Sequence, residues 1–306
     1  MKIYLNTIKE SWVIDRFKRE WFEYNNKVST SKINKSDIIW IIAPWTWKKI
    51  PKRYLKKKKV VCSIYHIDEE KFSSKEKEEF YKRDKYVDTY HVISNRTKKQ
   101  VEKLTNKNIT VVPFWVNQNI WFEIEQDKMR VKYGFKKDKF LIGSFQRDTE
   151  GSDLKTPKLS KGPDIFINVV SKMYEQNKSI EVVLTGKRRN YIISELKKIG
   201  INYHYFEMAE FSEINELYNC LDLYIVPSRY EGGPQSILEC GITRTPIIST
   251  KVGIADEILS PESLFSIDYF ENPKPNSQTA YENSVKYTIP QGFLEYLKLF
   301  KGIYEN

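Results

Sequence analysis

The sequence predicts an α/β protein made of two doubly wound, Rossmann-like domains that face each other across a cleft. Three observations carry this expectation. Short apolar runs rich in Ile, Val and Tyr alternate with helix-period stretches, the signature of parallel sheets covered by helices. The alternation occurs twice, with a break inside residues 113–138. The chain has 306 residues and 40% hydrophobic content, enough for about two domains with packed cores.

In the first series, strands are expected at Lys2–Leu5, Asp37–Ile42, Lys59–Ile64, Thr89–Ile93 and Ile109–Val112, and helices at Glu10–Tyr24, Lys75–Lys85 and Thr97–Thr105. In the second, strands are expected at Phe140–Phe145, Glu181–Thr185, Asn202–Tyr205, Leu223–Val226 and Pro246–Ser249. The helices between them are expected at Pro163–Gln176, Tyr191–Lys198, Glu213–Tyr218 and Pro234–Gly241. Residues 260–284 are punctuated by Pro, Asn and Ser and yield no assignment. Near the end, Phe293, Tyr296, Leu297, Phe300 and Tyr304 recur at spacings of three and four, one apolar face of a helix. The expected domains are residues 1–116 and 117–289, with 290–306 as a C-terminal helix packing back on the first. A doubly wound sheet binds its ligand at the carboxyl ends of its strands.

Composition excludes several classes. Lys and Arg exceed Asp and Glu by 51 − 40 = 11, so the chain is basic. Cys62, Cys220 and Cys240 stand at irregular spacing and, with three histidines, offer neither a zinc pattern nor a disulfide framework. No apolar run approaches the roughly 20 residues of a membrane span. The start, Met1 to Asn6, lacks the apolar stretch of a signal peptide. A soluble, reduced, cytoplasmic protein is expected. Six cations crowd Lys52–Lys59, near Trp45 and Trp47. That cluster suits peripheral contact with anionic membrane headgroups or acidic polymers, or is a solvated loop. Nucleic-acid binding is not expected, because the other cations are spread along the chain and no recognition motif accompanies them.

The segment from Leu223 to Glu239 carries the most chemistry. A buried strand runs into Pro227-Ser228, a loop presents Glu231, and Gly232-Gly233-Pro234 opens a helix. Pro suits the first helical turn, where its missing N–H has no partner to lose. The amides of Gly233, Pro234's successor Gln235 and Ser236 then make an anion site at a helix N-terminus, for which a diphosphate is the natural occupant. Glu231 and Glu239 flank that site, and carboxylates there suit hydroxyl groups, a sugar on one side and a ribose on the other. A second constellation runs Ile142-Gly143-Ser144-Phe145-Gln146-Arg147, then Lys158-Leu159-Ser160-Lys161-Gly162-Pro163. A placed Arg and Lys stabilise charge that develops on a departing phosphate.

These motifs resemble the family 4 retaining glycosyltransferases of the two-domain GT-B fold. The resemblance is carried by Asn215–Asp222, Val226-Pro-Ser, Glu231-Gly-Gly-Pro, Glu239-Cys-Gly, Thr245-Pro-Ile-Ile-Ser-Thr and Val252–Glu257. It implies transfer of a sugar from a nucleotide diphosphate sugar, UDP- or GDP-linked, to a hydroxyl of a glycan, lipid or protein acceptor. The N-terminal domain would read the acceptor and the C-terminal domain would hold the donor. By the same resemblance Glu231 contacts donor-sugar hydroxyls, Glu239 holds the ribose, and the Gly233–Ser236 amides bind the diphosphate. Arg147 and Lys161 stabilise the leaving phosphate, with Gly143, Ser144, Gly186, Lys187 and Gly232 lining the donor site. Thirteen residues separate Arg147 from Lys161, more than the family's pattern, so Lys158 competes for the lysine role. His66, in Ser63-Ile-Tyr-His-Ile-Asp68, stands where a loop enters the expected cleft, to orient donor or acceptor or to hydrogen-bond its own loop. Asn95 and Asn117 are expected on the acceptor side. The loop after the first strand, residues 6–12, lacks the Gly-Gly pair of many relatives.

No Asp-x-Asp element occurs. With Arg, Lys and a helix dipole at the diphosphate, the chemistry is expected to need no metal and no cofactor beyond the substrate. The competing readings are a GT-B phosphorylase or epimerase, and a non-catalytic module that binds anionic surfaces.

Overall fold

The structure is a computed structural model that describes residues 1–6, 13–69, 71–268, 270 and 272–305. It divides into two compact units, Met1–Trp115 with Ile289–Asn306, and Val116–Thr288.

The first unit runs β1 (Ile3–Leu5), α1 (Val13–Asn25), β2 (Ser29–Thr30), β3 (Ile38–Ile41), α2 (Lys52–Leu55), β4 (Lys59–Ile64), α3 (Ser74–Asp84), β5 (Thr89–Val92), α4 (Asn95–Glu102) and β6 (Asn108–Val111). Its six strands pair in parallel in the order β2-β1-β3-β4-β5-β6. Every residue of β3 and β5 is buried, as a parallel sheet covered on both faces requires. Alternation of side chains sends Ile38 and Trp40 into one core and Ile39 and Ile41 into the other. Ser73 closes a capping box with Glu76 at the start of α3, and Ser94 caps α4 by accepting from the Thr97 amide.

The second unit runs α5 (Gln126–Tyr133), β7 (Phe140–Ser144), α6 (Pro163–Gln176), β8 (Ile180–Thr185), α7 (Asn190–Ile199), β9 (Tyr203–Phe206), α8 (Phe211–Cys220), β10 (Leu223–Val226), α9 (Gln235–Thr243), β11 (Ile247–Thr250), α10 (Ala255–Ile258), β12 (Leu264–Phe265) and α11 (Ser277–Ser284). Its strands are also parallel, in the order β12-β11-β10-β7-β8-β9. The last helix, α12 (Leu294–Glu305), returns to the first unit. There Tyr296 packs 5.3 Å from Trp40 and Phe300 5.6 Å from Trp21, centroid to centroid.

Two Rossmann-like sheets are therefore present, as the alternation predicts. The differences lie in short elements. The two-residue edge strands β2 and β12 carry no readable period, and residues 260–284 contain β12 and all of α11. Helix α9 runs on to Thr243, and Pro234 is its N-cap residue instead of its first helical one. Helix α1 is seen from Val13. Residues 7–12, with most of the loop that lacks a glycine pair, lie outside the described residues.

Candidate functional site

In an open parallel sheet, a crevice forms where the chain leaves two neighbouring strands toward opposite sides. In the second unit that point lies between β7 and β10. Strands β8 and β9 extend one side of the sheet, and β11 and β12 the other. The segments that follow β7 and β10 are those that carry Arg147 and Glu231.

Backbone contacts draw these segments together. The amides of Arg229 and Tyr230 both donate to Ser160 O, at 2.9 and 3.2 Å. This ties the loop after β10 to the 3-10 turn Leu159–Lys161 before α6. Arg229 also forks onto Asp164, at 2.8 and 2.6 Å. Thr250 Oγ1, at the end of β11, donates to Ser228 O at 2.6 Å. Gly162 has φ +63, and a Cβ there would strike Pro227 O; Gly253 has φ +57, and a Cβ there would strike Gly232 O. Glycine is needed at both for conformation and for room. Gly162→Ala is expected to cost about 1–3 kcal/mol, read as a lowered denaturation midpoint. An unchanged midpoint would show that the loop adjusts without strain.

The side chains then converge. Lys161 Nζ and Glu231 Oε1 form an ion pair, both groups largely buried. Ser228 Oγ lies 3.3 Å from the same carboxylate oxygen and 3.4 Å from Gln146 Oε1. Gln146 Nε2 donates to Lys161 O at 3.0 Å. Arg147 is half-buried, its Nε donating to Thr149 O at 2.8 Å. Gly232 and Gly233 lead from Glu231 to α9, and Gln235 and Ser236 form its first turn. One turn on, Glu239 is buried and accepts from Tyr218 OH at 3.0 Å. Tyr224 OH accepts from the Phe145 amide at 3.1 Å.

Gly143 lies within β7, where a Cβ would strike Leu221, so packing alone accounts for it. Ser144 Oγ accepts from Arg189 Nη2 at 2.9 Å. Gly186 follows β8 with φ +84 and accepts from Tyr205 OH at 2.9 Å; Lys187 is exposed. Asn117 organises a turn, its Oδ1 accepting from Asn119 N and its carbonyl from Ile120 N and Trp121 N, each at 3.0 Å. In the first unit, His66 follows β4 and Asn95 opens α4 after β5, both exposed. The cations of Lys52–Lys59 occupy α2 and the turn into β4. They lie at the amino ends of the strands, the edge of that sheet away from its ligand-binding end, with Lys58 Nζ reaching Asn34 O at 3.5 Å.

Sequence reasoning missed the pair Asp148–Arg189. Both side chains are 0% exposed, with Arg189 Nε 3.2 Å from Asp148 Oδ2. Burial lifts the Asp148 carboxyl to about 6 against the pull of Arg189, and lowers the Arg189 guanidinium. The signal available was Lys187-Arg188-Arg189, which does not say which cation points inward.

Residues 154–268 match the family model described as "Glycosyl transferases group 1". This segment is similar to group 1 glycosyltransferases. Its sequence relatives include a lipopolysaccharide core biosynthesis mannosyltransferase, LpsB, of Rhizobium meliloti, 27% identical over 107 residues. That alignment spans 33% of this chain and 30% of the relative. Solved structures show that the fold beyond residues 154–268 is also shared. Sucrose-phosphate synthase from Thermosynechococcus elongatus superposes with a TM-score of 0.73 at 12% identity, over 98% of this chain and 81% of that one. Anabaena Alr3699/HepE in complex with UDP gives 0.75 at 12% identity, over 98% and 99%. The two sheets thus share the fold of these solved structures, two Rossmann-like domains. Among the described residues, no helix is long and apolar enough to cross a membrane.

Proposed function

We propose that the protein is a retaining, metal-independent glycosyltransferase that moves a sugar from a nucleotide diphosphate sugar to an acceptor hydroxyl. The observation that carries this reading is the ion pair of Lys161 with Glu231 at the strand switch of the second unit, beside the N-terminus of α9, with Arg147 on the loop that leaves β7 there. The solved relative Alr3699/HepE is described with UDP and with UDP-glucose, which favours a UDP-sugar as the first donor to try.

In this reading the diphosphate lies on the first amides of α9, where the helix dipole favours an anion. Glu231 accepts hydroxyls of the sugar, and its bond to Lys161 holds both groups in place before substrate arrives. Glu239 accepts a ribose hydroxyl, held by Tyr218. The bond from the anomeric carbon to the β-phosphate oxygen breaks, and its electron pair stays on the phosphate. The acceptor oxygen bonds the same face of that carbon and passes its proton to the departing phosphate. Arg147 and Lys161 stabilise the charge that develops, a service worth most inside a water-poor site. The acceptor is a glycan, lipid or protein hydroxyl, and the protein acts in the cytoplasm. Contact with an anionic membrane through Lys52–Lys59 would present the edge of the first sheet away from its strand C-termini.

Calorimetric titration with UDP, GDP, ADP and their sugar conjugates, in the presence of EDTA, tests the donor site. Saturable binding selective for one base is expected. Glu231→Ala and Arg147→Ala are each expected to lower turnover by about tenfold or more without unfolding the protein. Near-normal turnover in either folded variant would overturn that residue's role, and no nucleotide binding would overturn the donor site.

A further inference from the structure

We propose that Lys158 is a third phosphate-binding cation, beside Arg147 and Lys161, which holds the charge the nucleotide diphosphate acquires when the sugar leaves. The proposal rests on the donor-site reading above.

The thirteen residues between Arg147 and Lys161 do not separate them freely. The Lys158 amide donates to Asp148 O at 2.7 Å, and the Glu150 amide donates to Thr156 O at 2.9 Å. An antiparallel bridge joins Thr149 to Pro157. Residues 149–157 are thus a hairpin pinched at its base, and Lys158 stands at the pinch, hydrogen-bonded to the neighbour of Arg147. Asp148 is itself anchored. Its amide donates to Arg188 O at 3.2 Å, its Oδ1 accepts from Tyr191 N at 3.3 Å, and its Oδ2 faces Arg189. On the other side, Lys158 is the N-cap of the 3-10 turn Leu159–Lys161, and the Lys161 amide donates to Lys158 O at 2.8 Å. Lys158 thus directly precedes the turn that carries Lys161, and the two ammonium groups act on one another as neighbouring like charges.

The half-buried Lys158 faces Lys161 and Arg147 as like charges, and Glu231 and Glu150 as opposite ones. Burial, then the two cations, push its ammonium pKa down. Of the carboxylates, Glu231 is already bound to Lys161. Three cations against two carboxylates leave the cluster net positive, a setting that favours an anion.

Charge counting gives each cation a purpose. A nucleotide diphosphate sugar carries one negative charge on each phosphate. When the anomeric bond breaks, the electron pair stays on the terminal phosphate oxygen. The acceptor's proton reaches that oxygen and then passes to solvent, because the second ionisation of a terminal phosphate lies near about 6. The product therefore holds a third charge that the donor lacked. Arg147 and Lys161 hold the two charges present throughout and share the one that develops, and Lys158 adds a third cation for that developing charge. An interaction stronger in the transition state than in the bound donor raises turnover without tightening donor binding.

The test compares wild type with Lys158→Gln by calorimetry at pH 8, using UDP against UDP-glucose and GDP against GDP-mannose as probes. Lys158→Gln is expected to weaken the free diphosphate by about tenfold, the size of one charge-assisted hydrogen bond. The sugar conjugate should weaken by less than about threefold, and kcat should fall more than KM rises. Lys158→Arg should restore the preference for the free diphosphate. Equal weakening of both ligands, or no weakening of either, overturns the proposal while leaving the donor site standing. Wild type that binds none of the four probes overturns the donor-site reading, and this proposal with it.

Discussion

Asp148→Ala is expected to destabilise the second unit by about 3–5 kcal/mol, a fall in melting midpoint of roughly 10 °C. The reason is what it leaves behind. Arg189 is fully buried, and without Asp148 its guanidinium keeps a hydrogen bond to Ser144 Oγ and no counter-charge among its described contacts. A guanidinium does not give up its proton, whereas a carboxyl can take one up. Arg189→Met is therefore the milder change. It leaves a carboxyl that burial already pushes to about 6. A folded-state pKa above the ordinary value means that Asp148 contributes most to stability below about pH 4 and that this contribution is lost as the pH rises through 6. The gap between the two single variants should widen from pH 7 to pH 5.5. At neutral pH the pair stands ionised at a net cost, so the neutral double variant Asp148→Asn, Arg189→Met should recover most of the loss. Its turnover should nevertheless stay lowered by about tenfold or more, because Arg147 and Lys158 hang from the loop that the pair anchors, and small misplacements are expensive in catalysis. Chemical denaturation of the three variants, with turnover measured alongside, decides the matter. A single Asp148→Ala variant as stable as wild type would show that the pair carries no load.

Much of this arrangement was legible in the sequence, and the remainder was hidden for identifiable reasons. Strands such as β3 and β10 are buried at every residue, so they read as unbroken apolar runs between helices. Strands β2 and β12 are two residues long, too short for any period to show. The nearness of Lys161 and Glu231, seventy positions apart, follows from the strand order β10-β7-β8, which spacing alone does not reveal; the motifs on either side pointed to it. Asp148–Arg189 was hidden because Arg188 takes φ +62, a local turn that decides which of three successive cations faces inward. The open choice between Lys158 and Lys161 arose from counting residues along a loop that the structure pinches shut.

Histidine chemistry supplies the second large effect, in the first unit. The loop residue His66 attracted notice in the sequence, yet His91 is the one locked in a core. It is 0% exposed on β5, against Trp40, Phe114 and Tyr296. Trp40 Nε1 donates to Ser63 Oγ at 2.8 Å, Ser63 Oγ stands 2.8 Å from His91 Nδ1, and His91 Nε2 stands 2.7 Å from Val112 O. Val112 O can only accept, so Nε2 carries the proton and Nδ1 accepts from the Ser63 hydroxyl. That chain is complete with a neutral ring. Protonating Nδ1 would set two donors against each other in a site without water-like polarity, and burial accordingly lowers the pKa from 6.5 to about 4, opposed by the bond to Val112. A depressed histidine pKa contributes stability that is fully present above 6.5 and is lost as the pH falls toward 4, because the unfolded chain takes up the proton first. The shift amounts to about 3 kcal/mol across that window, at about 1.4 kcal/mol per pH unit. His91→Gln keeps a donor for Val112 O and an acceptor for Ser63 Oγ without a titrating ring. Denaturant midpoints measured from pH 7.5 to pH 4 should therefore fall more steeply in wild type than in His91→Gln, by about one proton's worth of slope. Parallel curves would mean that the ring is protonated in the folded core, and that the Trp40–Ser63–His91–Val112 chain tolerates a charge its geometry argues against.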